Sequence, residues 1–596
     1  MRVPYGGHGD TRAMQRRPAV VRGLAIVVAV VVAGAGARAA PDPVATFRAE
    51  VRRLQADERA YDEAFPARQR EALDRRQAIL RQHSDANVSP IPDDANAALA
   101  LLARPLAAIE ARRGEAALSL ARSGAPAAGP TLLDDAFATV AAAEALDAEI
   151  LAARPTVFGA IHDQAPAFRR SALASREAAA IAALAALPDA AGFLVRDGWA
   201  EAGAKDGKRS IARRVLVVDA LGRVAAREAV ALLTSVAQSP LVCLRQAAIE
   251  AIARCGPAGE EALEAGLTDP HVLVRRATLA ALRASAPTTG RMLGALVGRL
   301  AEARGAERRE TVEALRALSG QAFGDDPAAW GGWLAARKAA IDAGTFDARR
   351  EAPAVPETTA AVAATVPFYG LRLAADGVVF VIDWTLPMVY PADLAFARTG
   401  KPIDWFGADA SWVGRQGQER QQTVVRRELA RTMTAMGPHG RFGVVALRDG
   451  SRDAWPKIQE DAVLGRRALL ACDARSIARL DGVFDATPPG WSRWHESLDG
   501  LWIAADLAHL GPGPLVELGT PVADTLVFVS DGRHRGGRYL LVEEEVAAFV
   551  RWNRFRRLVV HTVRIADAGT DAAALLEGYA RGSGGTSDWS VRAPPR

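Results

Sequence analysis

Between residues 42 and 190 apolar positions recur at spacings of three and four, as at Phe47, Val51, Leu54 and Tyr61, against a background rich in alanine, leucine, arginine and glutamate. That period predicts helices. Breaks at SPIPDD (89–94), SGAPAAGPT (123–131) and Ala153-Arg154-Pro155 divide the segment into three or more helical stretches, whose alanine-rich faces allow close packing. No chemistry attaches to it, and it reads as a helical bundle or spacer. Residues 347–366, rich in proline, alanine and threonine without a period, read as a linker. From 367 to 593 the pattern changes. Short apolar runs such as GVVFVID (377–383), RFGVVALRD, TLVFVSDG (525–532) and LVVHTVRI alternate with helical stretches. Such alternation predicts a doubly wound α/β domain, Rossmann-like, and the unbroken runs VVFVI and TLVFV predict a parallel sheet covered on both faces.

The middle of the chain repeats itself. SPLVCLRQAAIEAI from Ser239 aligns with DPHVLVRRATLAAL from Asp269, which sets Pro240 over Pro270, Arg245 over Arg275 and Ile249 over Leu279, a period of 30 residues. RSIARRVLVVDALG (209–222) lies one period earlier, and AERRETVEALRALSG (306–320) is a more divergent copy. A proline opening a helix, a basic residue one turn on and an apolar seam resemble HEAT repeats. The resemblance implies a short α-solenoid over 205–340, in which GQAFGDDPAAWGGWLAARKAA (320–340) is the C-terminal cap.

Charge excludes one function class and supports no other. The formal net charge is +5, and of the 74 basic residues only Lys205, Lys208, Lys338, Lys401 and Lys457 are lysine. Acids interleave with the arginines and no basic stripe carries aromatics, so nucleic acid is not an expected partner. Arg16, Arg17 and Arg22, the run GLAIVVAVVVAGAG and Ala37-Arg38-Ala39 have the three regions of a secretory signal peptide, expected over 1–39 with cleavage near Ala39. Met14 would give that leader a more compact basic region. The apolar run is too short for a membrane span, so the mature chain is expected in the periplasm, the cell envelope or outside the cell. Cys243, Cys255 and Cys472 have neither an even count nor metal-ligand spacing, which excludes a disulfide framework.

In parallel sheets ligands sit at the carboxyl ends of the strands, and the runs GVVFVID and TLVFVSD end in Asp383 and Asp531. Here the chain resembles the von Willebrand factor A (VWA) family, and most closely exported bacterial proteins with HEAT-like repeats ahead of that domain. The segments FYGLRLAADGVVFVID, FVSDGRHRGGRY, FVRWNRFRRLVVHTVRI and LLEGYARGSGGTSDW carry the likeness. The family's metal-ion-dependent adhesion site uses an Asp-x-Ser-x-Ser turn, a threonine in a Gly-Gly-Thr loop and a strand-end aspartate, oxygens that suit magnesium or manganese. The resemblance therefore implies Asp383, Thr385, Ser492 and Asp531 as metal ligands. Pro387 stands where the last serine of the turn belongs and supplies neither a side-chain oxygen nor a backbone donor. The site is degenerate, and any Mg2+ or Mn2+ is expected to be weakly held or absent.

Tryptophans crowd the same loops: Trp384, Trp491 and Trp494, with Trp405 and Trp412 in the insertion 389–416. Two arrangements stay open. Exposed, the rings form an aromatic anchor patch for a partner; packed together, they hold the insertion down. No His-Glu-x-x-His, Gly-x-Ser-x-Gly, Gly-x-x-x-x-Gly-Lys or Cys-x-x-Cys signature occurs, and His495 opens a helix with no nucleophile motif beside it, so an enzyme is not expected. The expectation is an exported binding or adhesion protein that presents a VWA-type domain on a helical stalk to a protein or surface glycan. The alternative is a scaffold in which the solenoid recruits partners and the C-terminal domain is vestigial.

Overall fold

The computed structural model describes residues 41–84, 97, 99–152, 165–203, 209–285, 290–343, 345–346, 366–373, 376–384, 388, 421–447, 469–486, 497–510, 518–530, 532, 539, 541–565 and 570–589. Residues 1–39, 347–365 and 389–416 lie outside them, and Val366, the last residue of the expected linker, begins a strand. Residues from Pro43 onward form one compact unit.

Four helices come first: α1 (Pro43–Ser84), α2 (Arg104–Arg122), α3 (Ala128–Ala152) and α4 (Ala165–Ala185). One stripe of α1 is buried, through Phe47, Leu54, Tyr61 and Phe65. Small residues let the backbones approach: a Cβ on Gly114 of α2 would lie 3.2 Å from the Cβ of Ala179 in α4. Arg176 of α4 bridges the carboxylates of Glu58 in α1 and Glu110 in α2, tying three helices together.

The repeat region follows as α5 (Arg209–Val224), α6 (Val230–Val236), α7 (Val242–Ile252), α8 (Glu260–Leu267), α9 (Val272–Ser285), α10 (Gly290–Glu302) and α11 (Gly305–Ser319). Helices α5, α7, α9 and α11 stack in one layer, with α8 and α10 behind. The repeated arginine has a physical reason. Arg245 donates from Nη1 to the carbonyl of Ser239 at the head of its own helix, 2.9 Å, and from Nε to Asp269 of the next repeat, also 2.9 Å. Its counterpart Arg275 bonds the carbonyl of Asp269 at 2.8 Å and Glu307 of the following repeat at 2.6 Å. Each therefore fastens one repeat to the next. At the end of the stack, Trp330 and Trp333 of α12 (Pro327–Ala335) pack edge to face, with ring centroids 6.2 Å apart, and α12 lies against α10.

The C-terminal portion opens with a hairpin, β1 (Val366–Phe368) and β2 (Leu371–Leu373), turning through Tyr369 and Gly370, both at positive φ. Six strands build the sheet: β3 (Gly377–Asp383), β4 (Arg441–Leu447), β5 (Leu470–Ala471), β6 (Thr525–Ser530), β7 (Val559–Arg564) and β8 (Ser587–Trp589). Their order is β5-β4-β3-β6-β7-β8, all parallel except the edge strand β5. Every residue of β3 and β6 is buried, as expected of strands covered on both faces. Val378, Phe380 and Ile382 pack towards α13 (Gln421–Met436) and α14 (Ala474–Ala486). Val379 and Val381 face α15 (Ser497–Leu507), on the side that also carries α16 (Val542–Asn553) and α17 (Thr570–Ser583).

That second face shares one continuous apolar core with the repeat helices. The repeats meet the sheet at the amino ends of β6 and β7. Gln246 of α7 donates to the carbonyl of Phe555 at 2.9 Å, and the amide of Ala306 in α11 donates to Asp524, just before β6, at 2.8 Å. Arg557, ahead of β7, donates to Gln246 at 2.8 Å and to Glu250 at 2.6 Å. No single helix among the described residues is long and apolar enough to cross a membrane.

Candidate functional site

Counted along the chain, the six strands of the sheet run in the order 3-2-1-4-5-6. The chain leaves β3 to build outward through β4, and leaves β6 to build the other way through β7. Between β3 and β6 the connections diverge, and the crevice this opens at the carboxyl ends is where doubly wound sheets bind ligands. Asp383 is the last residue of β3 and Ser530 the last of β6, and the register Ile382 to Val529 sets them side by side.

The Ser530 hydroxyl donates to Asp383 Oδ2 at 3.0 Å, and its oxygen accepts the amide of Gly532 at 3.0 Å. Gly532 has φ 72°, a left-handed conformation that favours glycine. Asp383 and Ser530 are both fully buried. Gln421, the first residue of α13, donates to the carbonyl of Ile565 at 2.9 Å, which holds the amino end of that helix at the carboxyl edge of the sheet. The positive end of the α13 dipole therefore lies on the same edge as the Asp383 carboxylate.

Trp384 departs from the expected anchor patch. Its amide donates to the carbonyl of Leu447 at 2.7 Å, prolonging the β3–β4 ladder, and its ring is fully buried, 4.5 Å from that of Phe484 and beneath the Arg426 guanidinium. The side chain belongs to the core under α13 and α14, so it is not an exposed anchor. Thr385, Pro387, Trp491, Ser492, Trp494 and Asp531 lie outside the described residues, as do Trp405, Trp412 and His495. No family model, no characterised protein and no solved structure matches this chain.

The described part of this edge thus offers one carboxylate and one hydroxyl, fewer oxygens than magnesium or manganese requires. No group of three metal-binding side chains occurs among the described residues. Ser530, which the resemblance does not name as a ligand, is the residue the structure brings against Asp383. Its signal was present: a hydroxyl closes the otherwise apolar run TLVFVS directly before the aspartate. The three cysteines are free.

Proposed function

We propose that this chain is an exported, non-catalytic binding protein whose C-terminal α/β domain, of the VWA kind, takes hold of a protein or surface glycan with the loops at the carboxyl ends of β3 and β6. The observation that carries this reading is the Asp383–Ser530 pair at the divergence of the sheet, on the edge opposite the one the helical repeats cover. The helices then act as a rigid buttress for the sheet, and the loop edge faces the partner. Trp491 and Trp494 are the aromatic contacts of this reading. No step of it passes through an ion: Pro387 removes one ligand, and the described donors do not complete a shell.

The test is capture of a partner from the cell-envelope fraction by the full-length protein, with and without chelator. Loss of capture in Trp491→Ala and Trp494→Ala proteins that unfold at the wild-type temperature supports the loop edge, and unchanged capture overturns it. A second reading, in which the repeat helices do the recruiting, gains from the burial of Trp384, since one of the three expected anchors is withdrawn. Deleting 205–340 cannot separate the two, because those helices share the core of the sheet. Surface substitutions on the repeats can.

A further inference from the structure

Helix α16 meets the N-terminal helices along one stripe of side chains. Leu541, just ahead of the helix, packs against an apolar cluster that includes Tyr61 and Phe65 of α1, Leu106 of α2 and Phe168 of α4. Glu544, in the first turn, lies beside Tyr61, and Arg551, about two turns on, lies among Arg170 and Glu177 of α4 and Asp147 of α3. Spacings of three and seven keep all three residues on one side of the helix. The cluster is separate from the large core that sheet and repeats share, so this contact can part while that core stays closed.

The two charged members of the stripe are poorly compensated. Glu544 is 7% exposed, its Oε2 is buried with no hydrogen-bond partner, and no ion pair joins it to a described residue. The groups that could answer it are engaged elsewhere. The Tyr61 hydroxyl donates to the carbonyl of Leu102 at 2.9 Å, and Arg169 of α4 pairs with Asp62 of α1 at 2.7 Å. On its own helix Glu543 repels it, and Arg551 offsets that repulsion from two turns away. Arg551 itself forms no ion pair with a described residue. Burial, and after it the neighbouring Arg170, hold its basicity below the ordinary arginine range, against Asp147, Tyr539 and Glu177. A buried carboxyl without a partner is costly to ionise in place.

We propose that the contact between the first turn of α16 and the N-terminal helices is a latch, closed while Glu544 carries a proton and opened when it loses it. On opening, Leu541 leaves the apolar cluster and the bond from the Glu545 amide to the Leu541 carbonyl, 3.2 Å, breaks. Strands β6 and β7 are parallel and α16 connects them, so its first turn lies at the carboxyl edge of the sheet, the edge that carries the Asp383–Ser530 pair. The latch stands whether or not that edge takes a partner. In water the Glu544 carboxyl titrates near its ordinary value of 4.5, whereas burial in the closed contact raises it to about 8. The open form therefore holds fewer protons between those values. The ratio of closed to open falls about tenfold per pH unit from about pH 5 to about pH 8 and levels off above.

The experiment is amide hydrogen exchange of the full-length protein at pH 6 and pH 8, read by mass spectrometry and corrected for the intrinsic exchange rate at each pH. Protection of the Glu545 and Val546 amides should fall about tenfold per pH unit, while amides of β3 and β6 keep theirs. In Glu544→Gln, which carries no ionisable group at this position, protection of the same amides should be equal at the two pH values. Protection at Glu545 and Val546 that does not change with pH in the wild-type protein overturns the proposal. So does a fall shared equally by β3 and β6, which would mean that the whole fold loosens and no separate latch exists. A pH dependence that survives in Glu544→Gln overturns it as well, by assigning the titration to another group.

Discussion

The guanidinium of Arg554, at the C-terminal end of α16, holds both carboxylate oxygens of Asp219 in α5, 335 residues earlier in the chain, at 2.8 and 2.7 Å. Glu250 of α7 accepts a third bond from the same group at 2.8 Å. The position suits a cation twice over, at the negative end of a helix dipole and between two acids. Removing the shared cation of a half-buried ion-pair cluster leaves two acids facing each other. Arg554→Ala should therefore lower the unfolding free energy by about 1–3 kcal/mol. Because repeats and sheet share a core, the loss should appear as one earlier cooperative transition in denaturant. A wild-type midpoint, or two separated transitions, would show that the junction is not what couples them.

Trp384 gives the second prediction. Its ring is fully buried against Phe484, so Trp384→Ala opens a large cavity in the core beneath α13 and α14. The expected cost is about 3–5 kcal/mol, and Trp384→Phe should recover much of it. Near-ultraviolet circular dichroism together with chemical unfolding checks this. A Trp384→Ala protein of unchanged stability would mean the side chain is a surface anchor after all.

How much was legible beforehand differs between elements. The change from helical spacing to continuous apolar runs marks the sheet, because burial on both faces demands such runs. The 30-residue period marks the stacked helices, and Arg245 and Arg275 recur because each fastens its repeat to the next. For Trp384, whose exposed and packed arrangements both stay open in the sequence, the inward signal is the strand alternation: Val378, Phe380, Ile382 and Trp384 keep a two-residue period and share one core face. Proximity to Asp383 suggested a loop, and the periodicity pointed inward. The docking of the repeats was not legible. Asp219, Glu250, Arg554 and Arg557 look in sequence like ordinary charges on amphipathic helices, and only tertiary structure brings together groups 300 residues apart. β5, two residues long, carries too little pattern to be seen.

A pH effect follows from Glu544, in the first turn of α16. It is buried, its Oε2 has no hydrogen-bond partner, and Leu541 beside it packs into the apolar cluster of α1, α2 and α4. Burial raises its carboxyl from 4.5 to about 8, the adjacent Glu543 adds to the rise and Arg551 opposes it. From α1 it faces the Tyr61 hydroxyl, which donates to the carbonyl of Leu102 at 2.9 Å. The folded chain thus keeps a proton that the unfolded chain releases. Stability is highest below about pH 4.5 for this group and is lost as pH rises to about 8, by on the order of 4 kcal/mol. Glu544→Gln should abolish that slope, so the variant should gain more over wild type at pH 8 than at pH 5. Equal gains at both values would show that Glu544 is not protonated in the folded protein.

Ser530→Ala tests the pair at the divergence of the sheet. The substitution removes the hydroxyl that donates to Asp383 and the acceptor of the Gly532 amide. Losing bonds of this kind in a buried setting costs about 1–3 kcal/mol. The same variant should weaken partner capture, because Ser530 then holds neither Asp383 nor the Gly532 amide. Full stability with full capture would remove this pair from the argument for the loop edge.

The last prediction concerns the ion that the VWA resemblance implies. Metal-ion-dependent adhesion requires a nearly complete oxygen shell, yet Pro387 withdraws one ligand, and one oxygen of Asp383 already accepts the Ser530 hydroxyl in the fully buried pair. Magnesium tolerates extra waters but demands near-ideal octahedral geometry, so each lost protein contact weakens it. An ion bound only to the folded state stabilises it by an amount set by concentration over dissociation constant, about 2.7 kcal/mol at a hundredfold excess. A millimolar excess of Mg2+ or Mn2+ should leave the unfolding midpoint within error of that in chelator, and partner capture should be insensitive to chelator. A rise in midpoint that Asp383→Asn abolishes would restore the ion to the site and make recognition cation-bridged.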